Sequence, residues 1–372
     1  MMNNPFRYGT IVDDPYFYGR HKELEEITIS VKNGANLILY SPRRYGKTSL
    51  VLKILKSLKQ EGYNTIYIDF FKVTSRDKFI ELYSREIFNL HSSFEKGILR
   101  LKELIRGIRP VIGWSNAGKP ELSIRIDPAL AAEAFEDVLN TPVRTEGKSW
   151  IVVFDEFQEI ERLNGESFEK ELRAVIQHHQ QVGYIFMGSQ KHMLVNMFSR
   201  KNRAFYNFGK LYQLQKPDPT DATTYLNDRF AISDFEPSKD LLGKIIITSR
   251  NIPFYLQYLA SEIWEMMALQ VTLTDNLFEQ AIQRLLLNQN DYFLGIWMQL
   301  TPYQRKTITA IAANETGSYD KKFLQEYNLY PVSSLQKALK SLTNQDILEK
   351  ENTRYRLNDP FFELWIKRNN EQ

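Results

Sequence analysis

The sequence contains no cysteine, and its five histidines are scattered along 372 residues. The lack of cysteine excludes a disulfide framework, a thiolate metal site and a cysteine nucleophile. His178 and His179 are adjacent on a predicted helix, but the other ligands that a zinc site requires do not accompany them. We therefore expect no metal site built on these histidines.

Long apolar runs and a strong excess of one charge are missing as well. No stretch approaches the ~18 to 20 apolar residues that a membrane span requires, and Met1 to Arg20 has no apolar run of the signal-peptide type. The formal net charge of +3 is too small to argue for nucleic-acid binding by itself. We expect a cytoplasmic globular protein without a membrane segment.

The sequence does have a phosphate-binding pattern between a predicted strand and a predicted helix. Leu37 to Tyr40 predicts the strand, and the apolar spacing from Val51 to Leu55 predicts the helix. The loop between them ends in Gly-Lys-Thr, which in P-loops supplies a tight turn, a lysine for the outer phosphate oxygens and a hydroxyl for Mg²⁺. The residues predicted to bind nucleotide are Ser41, Pro42, Arg43, Arg44, Tyr45, Gly46, Lys47, Thr48 and Ser49, with Lys47 also catalytic.

A second pattern predicts where Mg²⁺ is held. Trp150 to Phe154 is an apolar run typical of a strand buried on both faces of a parallel sheet. Asp155 then lies at its carboxyl end, where open α/β sheets bind ligands, and we expect it to hold the metal together with Thr48. Glu156 suits a general base, or a group that orients the water attacking the γ-phosphate. The alternative is an acidic pair that only solubilises a strand end.

A third apolar run, Tyr184 to Met187, leads into Gly188-Ser189-Gln190. In ATPases with a sensor strand between the other two strands, a polar residue here contacts the γ-phosphate or the attacking water. Ser189 fits that catalytic role, and Gln190 could share it. An ordinary turn explains the same residues equally well.

In this order the motifs resemble the archaeal-type ATPases of the STAND and origin-recognition group within the AAA+ class. Phe17-Tyr18-Gly19-Arg20, followed by Glu23-Leu24, is similar to the N-terminal motif that lies against adenine in that family. Phe154-Asp155-Glu156-Phe157-Gln158 matches its metal-binding strand. Asn251 to Leu256 resembles its Gly-x-Pro segment, which packs a proline near the adenine.

The resemblance implies a fold and a set of ligands. The fold is α/β, a P-loop NTPase core with a parallel sheet, then a helical lid and a C-terminal winged helix-turn-helix domain. The ligands are ATP or ADP with Mg²⁺, bound between core and lid. The residues implied on the adenine side are Tyr18, Gly19, Arg20 and Pro253.

Two positions depart from the family pattern, because Ser41 and Asn251 stand where it usually has glycine. A positive φ at Ser41 would store strain that glycine avoids. Pro42, however, restricts the residue before it to β or polyproline-like geometry, so we expect Ser41 to be extended. Asparagine tolerates left-handed geometry, which makes Asn251 the milder change. Nucleotide binding is expected to survive both, whereas the hydrolysis rate is the property at stake.

The chain divides, by prediction, into a P-loop ATPase core over residues 1–215, a helical lid over 216–290 and a winged helix-turn-helix domain over 291–372. Two prolines in Lys216 to Thr220 mark the first boundary, and Asp218 or Thr220 can cap the next helix. Within the core, the Gly- and Pro-punctuated stretch from Gly107 to Pro128 predicts an exposed loop, centred on residues 114–120.

The sequence is compatible with three functions. The leading one is a slow ATPase that acts as a nucleotide-controlled switch and engages a protein partner, with self-association as a further alternative. The second is an ATP-regulated protein that binds double-stranded DNA, of origin-recognition or mobile-element type, with Ser334, Lys337 and Lys340 in the major groove and Arg354 and Arg356 on phosphate. The third is a protein that binds ATP without turnover.

Overall fold

The structure, a computed structural model, describes residues 3–91, 93–114, 120–145, 147, 149–163, 166–269, 276–314, 321–351 and 354–370. The chain forms two compact units. The first is Arg20–Gln215, and the second combines the residues before Arg20 with those from Lys216 onward. The first unit alternates strands and helices, whereas the second is mainly helical.

The first unit has the strand and helix order that builds a parallel sheet. Its strands are β1 (Leu37–Tyr40), β2 (Asn64–Asp69), β3 (Ile108–Trp114), β4 (Pro120–Ile126), β5 (Trp150–Asp155), β6 (Val182–Gly188) and β7 (Lys210–Gln213). Its helices are α1 (His21–Lys32), α2 (Lys47–Gln60), α3 (Arg76–Asn89), α4 (Phe94–Leu104), α5 (Ala131–Arg144), α6 (Glu166–Ile176) and α7 (Lys191–Ser199).

Five of these strands form one parallel sheet in the order β2-β5-β6-β1-β7. Every residue of β5 and β6 is buried, as expected for interior strands that are covered on both faces. Tyr40 of β1 is in register with Gly188 of β6, and Asp155 of β5 is in register with Asp69 of β2. The predicted α/β fold is therefore confirmed, and the carboxyl ends of these strands meet at one end of the sheet.

The stretch from Gly107 to Pro128 corrects the prediction of a plain loop, because β3 and β4 pair there as antiparallel strands. Leu122 and Ile124 are buried in the hydrophobic core of the unit. Apolar residues at every second position of β4 are the usual sign of a strand, and the surrounding glycines and prolines concealed it. The centre of the predicted loop, residues 115–119, lies outside the described residues.

A buried ion pair fastens the segment after α7 to the rest of the first unit. Arg203 donates from both Nη2 and Nε to the carboxylate of Glu169 on α6, the Nε bond being 3.2 Å long. It also bonds to Glu161 through Nη1 at 2.9 Å. The side chain of Glu169 is 1% exposed and that of Arg203 is 17% exposed. Burial dominates and raises the pKa of Glu169 despite the attraction of Arg203.

Replacing Arg203 with methionine is expected to destabilise the protein by about 3–5 kcal/mol near pH 7, because it leaves Glu169 charged, buried and without its arginine. Since Glu169 is most costly when it is ionised, the deficit should shrink as the pH falls and the carboxylate becomes protonated. Denaturant unfolding of both proteins from pH 7 to pH 5 measures this. The control is Lys170→Met, which removes an exposed ion pair on the same helix and should cost less than about 1 kcal/mol. An equal deficit at both pH values would contradict the role assigned to Glu169.

The second unit begins with a capped helix. Its helices are α8 (Pro219–Ala231), α9 (Lys239–Thr248), α10 (Pro253–Ala268), α11 (Leu277–Asn288), α12 (Asn290–Gln299), α13 (Pro302–Ala313), α14 (Lys321–Glu326), α15 (Val332–Asn344) and α16 (Pro360–Asn370). Its strands are β8 (Leu348–Glu351) and β9 (Arg354–Leu357). The carboxylate of Asp218 accepts a hydrogen bond from the Thr220 amide at 2.7 Å, so the predicted cap is confirmed. Among the helices that the structure describes, none has the length and apolarity needed to cross a bilayer.

The last part of this unit is a winged helix-turn-helix, as predicted. Thr301 and Gln304 form a capping box at the start of α13, with Pro302 at the first helical position. Helices α14 and α15 follow, and β8 pairs with β9 as the antiparallel wing. Residues 352 and 353, between β8 and β9, lie outside the described residues.

Candidate functional site: the phosphate loop and the strand ends

The loop between β1 and α2 turns through left-handed backbone geometry. Gly46, at the N-cap of α2, has a φ of 84°, and Arg44 has a φ of 72°. A Cβ added to Gly46 would meet no atom within 4 Å, so backbone conformation rather than space requires glycine there. The first N–H groups of a helix have no intrahelical partner, and with the helix dipole they favour phosphate at this end of α2.

Lys47 lies inside the curve of this loop, with an exposed fraction of 6%. Its Nζ donates to the carbonyl oxygens of Ser41 at 2.9 Å and Pro42 at 3.1 Å. The loop backbone therefore holds the ammonium group within the loop, and its contact with the outer phosphate oxygens stays a prediction.

Ser41 is fully buried and is not among the described residues with a positive φ. Its hydroxyl donates to the carbonyl of Pro42 at 3.2 Å. A positive φ at Ser41 is thus ruled out, in line with the restriction that Pro42 places on the residue before it. The missing glycine leaves no backbone strain at this position.

Ser41→Gly is accordingly expected to lower the melting temperature without tightening ATP binding. The variant loses the hydroxyl bond and gains freedom in the unfolded chain, together about 0.5–1.5 kcal/mol. Ser41→Ala keeps the Cβ and separates the two contributions. Thermal unfolding and calorimetric titration with ATP measure the outcome. A higher melting temperature or tighter binding in the glycine variant would show that serine is strained after all.

Arg20 stabilises the phosphate loop through a hydrogen bond to its backbone. Its guanidinium donates to the backbone carbonyl of Tyr45 at 3.0 Å and to that of Gln215, beyond β7, at 2.6 Å. It also pairs with Glu23 on α1 at 2.7 Å. Arg20 is 3% exposed, so within this unit its contacts tie the phosphate loop to the edge of the sheet. Its predicted contact with nucleotide stays a prediction.

The predicted metal ligands meet at the end of β5. The hydroxyl of Thr48 donates to Oδ2 of Asp155 at 3.3 Å, across 107 residues of sequence. The phenol of Tyr67, on the neighbouring strand β2, donates to the same oxygen. Burial raises the pKa of Asp155 to about 6, although the bond from Tyr67 and the charge of Lys47 oppose this. A cation or phosphate-bound metal beside Asp155 would favour its ionised form.

The donor set fits Mg²⁺ bound with a nucleotide. Mg²⁺ prefers oxygen ligands and is usually held by one or two protein groups plus phosphates and water. Thr48 and Asp155 supply two such oxygens. In the described part of the chain, no cluster of three or more His, Asp or Glu residues forms a separate metal cage.

Glu156 and Ser189 also come together. Glu156 follows β5 with a φ of 47°, which turns its side chain away from the strand direction. The Ser189 hydroxyl, at the end of β6, donates to Oε2 of Glu156 at 3.0 Å, and its amide donates to the same oxygen at 3.3 Å. The predicted base and sensor thus lie side by side, which the register of β5 and β6 explains.

The residues predicted on the adenine side, apart from Arg20, belong to the second unit. Tyr18 stacks on Tyr225 with ring centroids 4.3 Å apart. Gly19 has a φ of 62°, and an added Cβ would lie 3.0 Å from Pro217. Asn251, at a φ of 54°, donates to the Pro217 carbonyl at 2.7 Å. Gly19 and Asn251 therefore meet at Pro217.

Pro253 occupies the first turn of α10, two residues after Asn251. Asn251 adopts left-handed geometry, a region that asparagine tolerates better than most residues. Binding of adenine by these residues remains a prediction.

Sequence reasoning missed Tyr67. Its role depends on β2 pairing with β5, and nothing in the pattern of β2 separates this tyrosine from other β-forming residues. The one available signal was its place near the end of Thr65 to Asp69, a run rich in β-forming residues.

Two family models match the chain. One, described as an ATPase domain predominantly from Archaea, covers residues 17–204. The other, described as a probable winged helix domain, covers residues 291–368. No curated protein matches the sequence.

Solved structures share the fold along nearly the whole chain. A Walker-type ATPase of Pyrococcus abyssi is 17% identical with a TM-score of 0.68, covering 97% of this chain and 98% of its own. The ORC2 protein of Aeropyrum pernix, in ADPNP and ADP complexes, is 15% identical with a TM-score of 0.57, covering 99% of this chain and 100% of its own.

Proposed function

The chain belongs to the family of ATPase domains found predominantly in Archaea, and from this premise we propose that it is a switch controlled by ATP. In this proposal ATP binds with Mg²⁺, its hydrolysis to ADP is slow, and the nucleotide state sets which conformation engages a partner. The winged helix-turn-helix and the surface around it contact that partner, which we propose to be a protein.

Each residue of the proposed site has a separate task. Lys47 neutralises the outer phosphate oxygens. The Ser189 hydroxyl, which bonds to Glu156 in the structure, turns to donate to the γ-phosphate or to the attacking water when nucleotide is bound. Thr48 and Asp155 hold Mg²⁺, which when bound withdraws charge from the phosphate oxygens. Glu156 accepts the proton of the attacking water.

The observation that carries the proposal is the 3.3 Å bond between Thr48 and Asp155. It joins the end of the phosphate loop to the end of β5, and it leaves Glu156 as the next residue of the chain. Two oxygens for a metal beside a second carboxylate are the arrangement that metal-assisted attack on a phosphate requires.

The two positions without glycine support retained nucleotide binding. Ser41 has no positive φ and Asn251 takes up left-handed geometry without glycine, so neither prevents the loop or the turn from forming. A protein that binds ATP and does not turn it over is the alternative within the same site. Phosphate release that depends on Mg²⁺ distinguishes the two.

The test is size-exclusion chromatography of the purified chain with and without ATP and Mg²⁺, with phosphate release measured on the same fractions. The proposal expects slow phosphate release and an elution position that differs between the runs with and without ATP and Mg²⁺. A shift to a larger species would assign self-association as the response. Bound ATP without any release would support the non-hydrolysing alternative, and no bound nucleotide would overturn the proposal.

DNA binding is the second candidate, favoured by exposed basic residues on the winged helix. Lys337 and Lys340 are exposed on α15, and Arg354 and Arg356 are exposed on β9. Residues 300–372 nevertheless hold 11 Lys and Arg against 9 Asp and Glu, a weak excess for binding that depends on counterion release. A gel shift with random duplex DNA decides: a complex that weakens steeply with salt supports this candidate, and its absence supports a protein partner.

A further inference from the structure

Gln158 is a buried polar residue that the proposed mechanism does not use. It lies two residues after Glu156, in the 3₁₀ turn Phe157–Arg162, and is 1% exposed. Its Nε2 donates to Oε2 of Glu156 at 2.5 Å. A buried amide that touches a proposed catalytic carboxylate requires a reason other than packing.

Three donors converge on one oxygen of Glu156. The amide of Gln158 and both the N–H and the hydroxyl of Ser189 donate to Oε2. Within the described part of the chain these bonds all end on Oε2, so Oε1 is the oxygen that remains for a water. The arrangement therefore selects which oxygen of the carboxylate acts as a base and fixes the plane of the group.

The position of the Gln158 carbonyl oxygen, Oε1, explains why residue 188 is a glycine. A Cβ built on Gly188 would lie 2.0 Å from Oε1 of Gln158 and 3.1 Å from its amide carbon. Gly188 is not among the described glycines with positive φ, so space rather than backbone conformation requires glycine there. Gly188 is the last residue of β6 and precedes Ser189. Two consecutive residues therefore leave room for the amide and supply the other two donors.

The orientation of the amide is set by charge. The carboxylate of Glu156 can only accept hydrogen bonds, so the NH₂ group must face it and the carbonyl oxygen must face Gly188. That oxygen, Oε1, is buried and has no partner among the described residues. An unpaired buried acceptor is unfavourable, and it is retained here because the opposite orientation would place oxygen against oxygen.

We propose that Gln158 is a positioning residue for Glu156, and that glycine at 188 exists to admit its side chain. Gln158 does not contact substrate; it holds Oε2 so that Oε1 faces the attacking water. The inference rests on the proposed function, in which Glu156 activates that water.

The test compares Gln158→Ala, Gly188→Ala and the double variant. Each single change should lower the kcat for ATP by about 10- to 100-fold, the range in which misplacement of a catalytic group falls. The Kd for ATP with Mg²⁺ should stay within about twofold, since neither residue is placed on the phosphates. The variants should therefore retain unhydrolysed ATP through size-exclusion chromatography.

The double variant identifies the mechanism. If Gly188→Ala acts by displacing Gln158, it should add nothing once residue 158 is alanine, so the double variant should match Gln158→Ala. The matched control is Gly243→Ala, because a Cβ there would meet no atom within 4 Å, and it should leave kcat unchanged. Should Gly188→Ala fail to fold, Gln158→Leu, which keeps the side-chain volume without a donor, provides the second variant.

The outcomes separate this inference from the function on which it rests. If Glu156→Gln keeps full phosphate release, the proposed function fails. If Glu156→Gln loses release while Gln158→Ala keeps the wild-type kcat, only the positioning role fails. A parallel loss of kcat, ATP affinity and melting temperature in Gln158→Ala would assign the residue to packing and also overturn the inference. Additive effects in the double variant would reject the link to Gly188.

Discussion

Replacing Glu156 with glutamine is expected to lower ATP turnover by about 100-fold or more while ATP and Mg²⁺ stay bound, because a general base typically contributes that much. Glutamine is a suitable replacement because it has nearly the same shape as glutamate. The amide oxygen of glutamine can accept the hydrogen bonds that Ser189 now donates to Oε2, so the local geometry should persist. Only the second oxygen, the one proposed to take the proton, becomes a group that cannot act as a base.

Single-turnover phosphate release and calorimetric titration with ATP, with and without Mg²⁺, measure this prediction. Asp155→Asn is the informative companion, since it should weaken the Mg²⁺ dependence of binding. Glu166→Gln, on the exposed surface of α6, is the control and should change neither quantity. If the variants at 155 and 156 behave alike, the separate roles assigned to the two acids are wrong.

Lys47→Ala is expected to abolish measurable ATP binding. The ammonium group is held by the loop carbonyls of Ser41 and Pro42, so its loss removes both the main fixed charge on the outer phosphates and a clamp within the loop. Charge-assisted bonds of this kind are roughly twice as strong as neutral ones. The melting temperature should therefore fall slightly, while ATP no longer raises it.

Calorimetry with ATP and Mg²⁺ decides the outcome. Lys56→Ala serves as the matched control, because Lys56 is exposed on the same helix. This variant should bind ATP as the wild type does. Unchanged affinity in Lys47→Ala would remove the phosphate-loop argument altogether. Loss of binding in both variants would indicate damage to α2 rather than to the site.

The sequence predicted the parts of the site that lie in continuous motifs. The phosphate loop, Asp155 with Glu156, and Ser189 each follow an apolar run, and parallel strands bring their carboxyl ends together. The absence of a positive φ at Ser41 was also predictable, since the following proline restricts the residue before it. Asn251 has a positive φ, which agrees with the expectation that asparagine tolerates that geometry.

What the sequence could not provide are contacts that depend on strand order and side-chain packing. Tyr67 reaches Asp155 only because β2 pairs with β5. The side-chain position of Gln158 depends on the absence of a Cβ on Gly188, which lies 30 residues later in the sequence, at the end of the neighbouring strand β6. The β3–β4 hairpin was missed for a different reason, because glycine and proline signals outweighed the alternation along β4. Local sequence rules predict helices and strands well, whereas predicting which residues contact each other also requires the order and register of the strands.

The strand order has a consequence for the timing of synthesis. The P-loop strand β1 ends at Tyr40, but its two neighbours in the sheet are β6 and β7, and β7 ends only at Gln213. At about 5–20 residues per second, a ribosome needs roughly ten to thirty seconds to make the intervening chain. Until β6 and β7 are made, the N–H and C=O groups along the edges of β1 have no strand to pair with, so ATP cannot serve as an early template. The nucleotide can stabilise this domain only after almost all of the core has left the ribosome.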